Sequence, residues 1–330
     1  MKSPFLKYLF LQKTNCYQYK DIKFKSFYVF LKKAHSLPTS TSIYYTILFV
    51  LVGLIFTQCN KSKLQAPAPF YLNIPSVSVY TLSNQGTSNH KITEIWVYEN
   101  GQYKGAYPIG RNIPITSTSA KLKLFAGIKK DGLSAVRIIY PFYAPIEIDT
   151  SVSVNEIIYR PLSFQYKAGI QFKWLEDFEN FGGIGGITIV KGTASDTNLV
   201  VLDKSNNPSA DVFEGNKCML IAVDNNKPYA YLQSANTYTL SYDATYLELN
   251  YKCNQTFEIG LFSGVLTKSV INLISTSGKW NKIYIDLTPY LALLGGTPTN
   301  NSIGLYFKVY KANDVSKGEI LIDNIKLISY

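Results

Sequence analysis

Histidine is nearly missing from this chain of 330 residues, which has only His35 and His90. A zinc site built from several imidazoles is therefore excluded from the body, and a Ser-His-Asp arrangement would have to use His90. The four cysteines, Cys16, Cys59, Cys218 and Cys253, show no CxxC and no metal-ligand spacing. Neither GxSxG nor GxxxxGK[ST] occurs. The cluster Gly182-Gly183-Ile184-Gly185-Gly186 runs into a predicted strand, not a helix. It lacks the helix amino terminus that cradles a phosphate, so it reads as a turn.

Acidic residues are scarce at the start of the chain. Residues 1–58 hold eight lysines and one acid, Asp21, and so carry +7 of the formal net charge of +11. The remainder holds 25 basic and 21 acidic residues, with no dense basic run, which argues against a nucleic-acid partner. A run of about 20 apolar residues, the length that spans a bilayer, is also missing. The apolar segment Ile43–Phe56 has 14 residues, preceded by Lys32-Lys33 and followed by Phe56-Thr57-Gln58-Cys59 and the polar stretch Asn60-Lys61-Ser62-Lys63. Its length fits the apolar region of a signal peptide, with a short membrane anchor as the alternative. Residues 1–42 fit neither, and the start of translation is expected nearer residues 30–42.

The layout around Cys59 resembles a bacterial lipoprotein signal. The resemblance implies that Cys59 is acylated, that the peptide before it is removed, and that residues 59–69 tether the body to a membrane. Phe56 and Gln58 depart from the usual aliphatic and small residues. Aromatic-containing versions are familiar in Bacteroidetes, whose proteins the Tyr/Asn/Lys/Ile-rich body also resembles. The resemblance implies an exported, outer-membrane lipoprotein, facing the periplasm or the cell surface.

The body is rich in what strands use. There are 26 Tyr and 18 Phe, with β-branched residues throughout. Short strands are expected near 71–81, 92–98, 103–108, 121–126, 134–140, 145–149 and 154–159. Asn100-Gly101 is expected to make a tight hairpin turn. The expected fold is all-β, with a first sandwich over 70–165, a junction over 166–186 and a second sandwich over 187–330. In the second part, strands are expected near 187–191, 199–203, 217–223, 228–233, 237–242, 245–252, 256–261, 269–274, 281–286, 303–310 and 319–328. One helical stretch is expected at Thr288–Leu294.

The stretch WVYENGQYKGAYPIGRNIPI resembles the opening hairpin of immunoglobulin-like or PEGA-like surface domains. The second part resembles the galactose-binding-like jelly rolls that include many carbohydrate-binding modules. Asp177-Phe178-Glu179 opens it, Lys279-Trp280-Asn281-Lys282-Ile283-Tyr284-Ile285-Asp286-Leu287 resembles an internal strand of that group, and Gly318 to Leu327 resembles its last strand. The resemblance implies a structural Ca²⁺ held by Asp177, Glu179 and Asp323, oxygen donors suited to a hard cation. The alternative is that Asp323 caps a turn.

Saccharide binding needs an aromatic platform, and Tyr229, Tyr231, Tyr242 and Trp280 are the candidates. Tyr229 and Tyr231 alternate on one strand and share a face, as a platform or as half of a core. Trp280 belongs to the fold pattern and favours the core. Cys218 and Cys253 could form a disulfide in an exported protein, or remain two buried thiols. The acidic cluster Glu176, Asp177 and Glu179 lies at the junction, and no catalytic residues are assigned. The expected function is a non-catalytic glycan-binding or accessory module of the cell envelope. A structural or adhesin-like partner of envelope proteins is the alternative, and a glycan-active enzyme the third.

Overall fold

A computed structural model describes residues 68–180 and 188–330. Cys59, the leader, most of the tether and the glycine cluster at 182–186 lie outside the described residues. Pro67–Tyr330 forms one compact unit.

The first sandwich contains β1 (Phe70–Asn73), β2 (Val77–Tyr80), β3 (Glu94–Glu99), β4 (Gln102–Pro108), β5 (Asn112–Ile115), β6 (Ser119–Lys129), β7 (Arg137–Ile139), β8 (Ile146–Ser151), β9 (Ile157–Tyr159) and β10 (Leu162–Gln165). One layer has the order β4-β3-β6-β7, with β8 also on β6; the small sheets β5-β1-β9 and β10-β2 make the other. Alternation sets the faces. In β6, Ala120, Leu122 and Leu124 point to the core, while Lys121 and Lys123 point to water. Asn100 and Gly101 both take positive φ, 50° and 80°, and join β3 to β4 as the tight turn expected of Asn-Gly.

The second sandwich contains β11 (Gln171–Glu176), β12 (Ile189–Lys191), β13 (Val200–Asp203), β14 (Lys217–Val223), β15 (Tyr229–Ser234), β16 (Thr245–Cys253), β17 (Phe257–Ser263), β18 (Leu266–Leu273), β19 (Asn281–Asp286), a one-turn helix α1 (Thr288–Leu291), β20 (Gly304–Tyr310) and β21 (Gly318–Ser329). A sheet ordered β13-β14-β21-β16-β19, with β11 also on β21, faces a sheet ordered β12-β15-β20-β17-β18. Leu247, Leu249, Ile320, Ile322, Leu232, Ile259 and Phe307 lie in the core between them. The protein is thus all-β, two sandwiches in series.

Several boundaries differ from the sequence expectation, each for a physical reason. The run 71–81 is broken at Pro75, which has no amide hydrogen for a ladder, and becomes β1 and β2. β5 contains Pro114, and it is tolerated there because β5 is an edge strand. Gln171–Glu176, placed in a junction by the sequence, is a strand of the second sandwich paired with β21. The stretch 237–242 forms no regular strand. The buried Asn301 side chain substitutes for a neighbouring strand, donating to Leu240 O and accepting from Leu240 N, both at 2.9 Å.

β21 carries a bulge that decides the architecture. Across the shift in register between Glu248 and Asn250, Asn324 takes φ 52°, and the inward set changes from Ile320 and Ile322 to Ile325 and Leu327. Lys326 is thereby turned to the outer face, toward the first sandwich. There Tyr246, Tyr284 and Ile328 join the first sandwich's own core. A buried ionic group lies among them. Glu248 contacts Lys282 Nζ at 2.9 Å and accepts hydrogen bonds from the Tyr140 and Tyr166 hydroxyls at 2.6 and 3.1 Å. Lys326 donates to Thr87 O and to the Tyr166 hydroxyl. Burial pushes the Glu248 carboxyl up, but Lys282 and Lys326 outweigh it and hold it below its ordinary value. Burial pulls Lys326 down to about 8.

Candidate functional site

The inner face of the β12-β15-β20-β17-β18 sheet is apolar core, and its outer face carries an aromatic pavement. Alternation on β15 puts Ala230 and Leu232 inside and Tyr229 and Tyr231 outside. On β20 it puts Phe307 and Val309 inside and Tyr306, Lys308 and Tyr310 outside. Tyr229 stands opposite Tyr310, and their rings stack at 4.6 Å with 26° between planes. Tyr231 stacks on Tyr306 across the diagonal at 5.0 Å and 26°. Tyr310 is 64% exposed, so one end of the pavement is open to a ligand, while Tyr306 is only 3% exposed.

Tyr306 lies flat because the residue opposite it is Gly260. A Cβ there would lie 2.1 Å from the Tyr306 ring. The Tyr306 hydroxyl donates to Glu258 Oε1 at 2.5 Å, and Glu258 Oε2 pairs with Lys308 Nζ at 2.8 Å. Burial pushes the Glu258 carboxyl up, but Lys308 and the Tyr306 hydroxyl hold it below its ordinary value. Burial, then Glu258, raises the Tyr306 phenol, which stays neutral and donating. Burial, then Tyr310, pushes Tyr229 up to about 12. On this face the Glu258 carboxylate is matched by the Lys308 ammonium. Such a surface can receive the C–H face of a pyranose and offer hydroxyl, ammonium and carboxylate groups at its margin.

Of the four aromatic residues expected from the sequence, the structure brings together only Tyr229 and Tyr231. The Tyr242 ring packs on the core, and its hydroxyl reaches Leu291 O at 3.4 Å. Trp280 lies on the outer face of the other sheet, where Nε1 donates to Asp211 Oδ1 at 2.7 Å and the ring meets Phe213 at 5.6 Å. It packs against a small cluster with Cys218 and Leu321. Tyr306, Tyr310, Glu258 and Lys308 were not singled out beforehand. Their signal was the alternation Tyr306-x-Lys308-x-Tyr310, which matches Tyr229-x-Tyr231.

The three carboxylates expected to hold calcium bind main-chain amides, with Glu179 and Glu214 close to Asp323. Asp177 Oδ1 accepts from Glu179 N at 3.1 Å, Glu179 Oε1 from the amides of Asn216 and Lys217, and Asp323 from those of Glu214 and Asn324. Among the described residues no group of three or more His, Cys, Asp or Glu is arranged to hold a metal ion.

The disulfide expectation is also corrected. Cys218 and Cys253 are free thiols, on β14 and β16, with β21 between them. Cys218 faces outward and Cys253 into the core. Two strand spacings, about 9.6 Å, exceed the reach of a disulfide. Burial pushes Cys218 up to about 12 and Cys253 up to about 11.

His90 serves the main chain. Nε2 lies 3.1 Å from Val77 O, and Nδ1 accepts from Ile92 N at 3.3 Å. Burial raises the Glu176 carboxyl, against hydrogen bonds that it accepts from the Thr188 hydroxyl and from Phe178 N, which tie it to local structure. Among the described residues no helix is long and apolar enough to cross a membrane.

No protein-family model matches this chain, and no curated protein matches it in sequence. Among solved structures, the K2 cleaved adhesin domain of Lys-gingipain is similar over 47% of this chain and 98% of its own, at 14% identity and a TM-score of 0.33. The family 11 carbohydrate-binding module of Clostridium thermocellum, in complex with a mixed-linked tetrasaccharide, matches 48% of this chain and 95% of its own, at 17% identity and a TM-score of 0.30. An arabinose-bound α-L-arabinofuranosidase matches 49% of this chain and 27% of its own, at 12% identity and a TM-score of 0.34.

Proposed function

We propose that this protein is a non-catalytic glycan-binding module of the cell envelope that holds a neutral saccharide on the outer face of the β12-β15-β20-β17-β18 sheet. The observation that carries this reading is the pair of stacked rings, Tyr229–Tyr310 and Tyr231–Tyr306, laid along neighbouring strands. The Lys308–Glu258 pair leaves the margin without net charge and suits a neutral sugar better than a uronic acid. Acylation of Cys59 would tether the module to a membrane, stably once two or more chains are attached.

A glycan array probed with the protein tests the reading. Specific hits lost in Tyr229→Ala and Tyr310→Ala are expected; specific hits unchanged in both variants would sink it. Metabolic labelling with a fatty acid tests the anchor, and the label should vanish in Cys59→Ala. A second reading, an adhesin-like protein partner, is favoured by the exposed tip of the β17–β18 hairpin, where Val265 and Leu266 face water. Envelope proteins co-purifying with wild type but not with Val265→Asp, together with an empty array, would select it.

A further inference from the structure

We propose that the first sandwich carries a second saccharide-binding surface, the outer face of β3, β4 and β6 around Trp96, Tyr98, Tyr103 and Phe125. The proposal borrows its ligand class from the glycan reading above, but rests on a different set of residues.

β3 reads Glu94-Ile95-Trp96-Val97-Tyr98-Glu99, and Ile95 and Val97 are core. Trp96 and Tyr98 therefore face outward, opposite Phe125 and Lys123 of β6. On the other side, Tyr103 of β4 stands opposite Tyr98. The rings are contiguous: Trp96–Tyr103, Tyr98–Tyr103 and Tyr98–Phe125 are each separated by 5.4 Å. Tyr103 is 50% exposed and the other three are half-buried.

Cross-strand aromatic pairs stabilise a sheet with no ligand at all. Two further features go beyond that. Gly127 sits within β6, where glycine weakens a strand. A Cβ there would lie 2.8 Å from Trp96 Cδ1 and 2.5 Å from Glu94 Cγ, so the glycine lets both side chains lie down on the sheet. Glu94, only 2% exposed, accepts from Trp96 Nε1 at 3.1 Å and pairs with Arg137 at 3.3 Å.

This is the arrangement found on the second sandwich: a ring over a glycine, its polar atom donating to a carboxylate, and that carboxylate paired with a cation. Trp96–Glu94–Arg137 over Gly127 corresponds to Tyr306–Glu258–Lys308 over Gly260. The device holds a ring in one orientation at low entropic cost and leaves the face uncharged.

Charge selects the ligand. Lys104 pairs with Glu99, Lys123 with Glu147 and Arg137 with Glu94, so these three cations around the rings are matched. A neutral saccharide fits such a surface. Half of the Arg137 side chain remains exposed, leaving guanidinium donors for sugar hydroxyls beside the rings.

Isothermal titration with neutral oligosaccharides (β-1,4-galactotriose, a mixed-linked glucan tetrasaccharide and cellotetraose) tests this by stoichiometry. Two sites per chain are expected. Tyr229→Ala/Tyr310→Ala should leave one, and Trp96→Ala/Tyr103→Ala should leave one. Tyr103→Ala alone, which removes a half-exposed ring, should weaken the second site about tenfold while lowering the melting temperature by only a few degrees. One site that survives Trp96→Ala/Tyr103→Ala and is lost in Tyr229→Ala/Tyr310→Ala overturns the inference and keeps the proposed function. The reverse pattern keeps the inference and removes the proposed site. Absence of binding to every oligosaccharide overturns both.

Discussion

Replacing Asp323 by Asn should make the protein more stable near neutral pH, and the gain should grow as pH rises. Asp323 is 1% exposed, on β21. Burial, with Glu214 and Glu179 close by, raises its carboxyl from 3.8 to about 7. The unfolded chain releases this proton near pH 3.8, whereas the native state keeps it until about pH 7. Between those values the native state binds more protons, so rising pH costs stability, and above about pH 7 the loss is complete. At 1.36 kcal/mol per pH unit, that interval amounts to about 4 kcal/mol. This is a large share of the 5–15 kcal/mol typical of a domain. Asparagine does not titrate and keeps an oxygen for one of the two amides. Urea unfolding of both proteins from about pH 4 to about pH 8 isolates the group, because titrations not coupled to Asp323 cancel in the difference. Wild type should fall behind Asp323→Asn by up to about 4 kcal/mol across that range. A flat difference would refute the reasoning. So would one of opposite slope that a chelator abolishes, because Asp323 would then be ionised against a bound cation.

Other substitutions test other parts of the structure. Glu248→Gln leaves Lys282 and Lys326 buried without their counter-charge and should cost about 3–5 kcal/mol, read from the denaturant midpoint. Gly260→Ala forces the Tyr306 ring off the sheet and should cost about 1–3 kcal/mol; near-ultraviolet circular dichroism should change, and binding at the Tyr229–Tyr310 face should weaken. Thiol titration should find Cys218 and Cys253 unreactive in the native protein and both reactive after unfolding without reductant, whereas a disulfide would leave them silent.

Local chemistry made much of this fold legible. Asn100-Gly101 was readable as a turn because positive φ at two successive residues is a local demand. The strands β14, β16, β19 and β21 were readable because their alternating or continuous apolar residues need only a core to face. The segment 237–242 misled because its apolar residues do enter the core; its pairing is a single bridge from Tyr238 to Ile303, and at Leu240 the Asn301 side chain, far along the chain, takes the partner's place. Trp280 fitted a strand pattern, but its contacts with the 204–216 loop depend on Asp211 and Phe213.

The sequence by itself determined an all-β body in two parts, the faces of most strands and the candidacy of Tyr229 and Tyr231, since each follows from the two-residue period of a strand. Tertiary structure alone decided which strands lie side by side. That pairing put Tyr310 on Tyr229, laid Tyr306 over Gly260, and placed Glu94 between Trp96 and Arg137. It separated Cys218 from Cys253 by a strand, and through one bulge at Asn324 it turned Lys326 outward to the Tyr166 hydroxyl beside Glu248. Register couples residues far apart in sequence, and no local pattern specifies it.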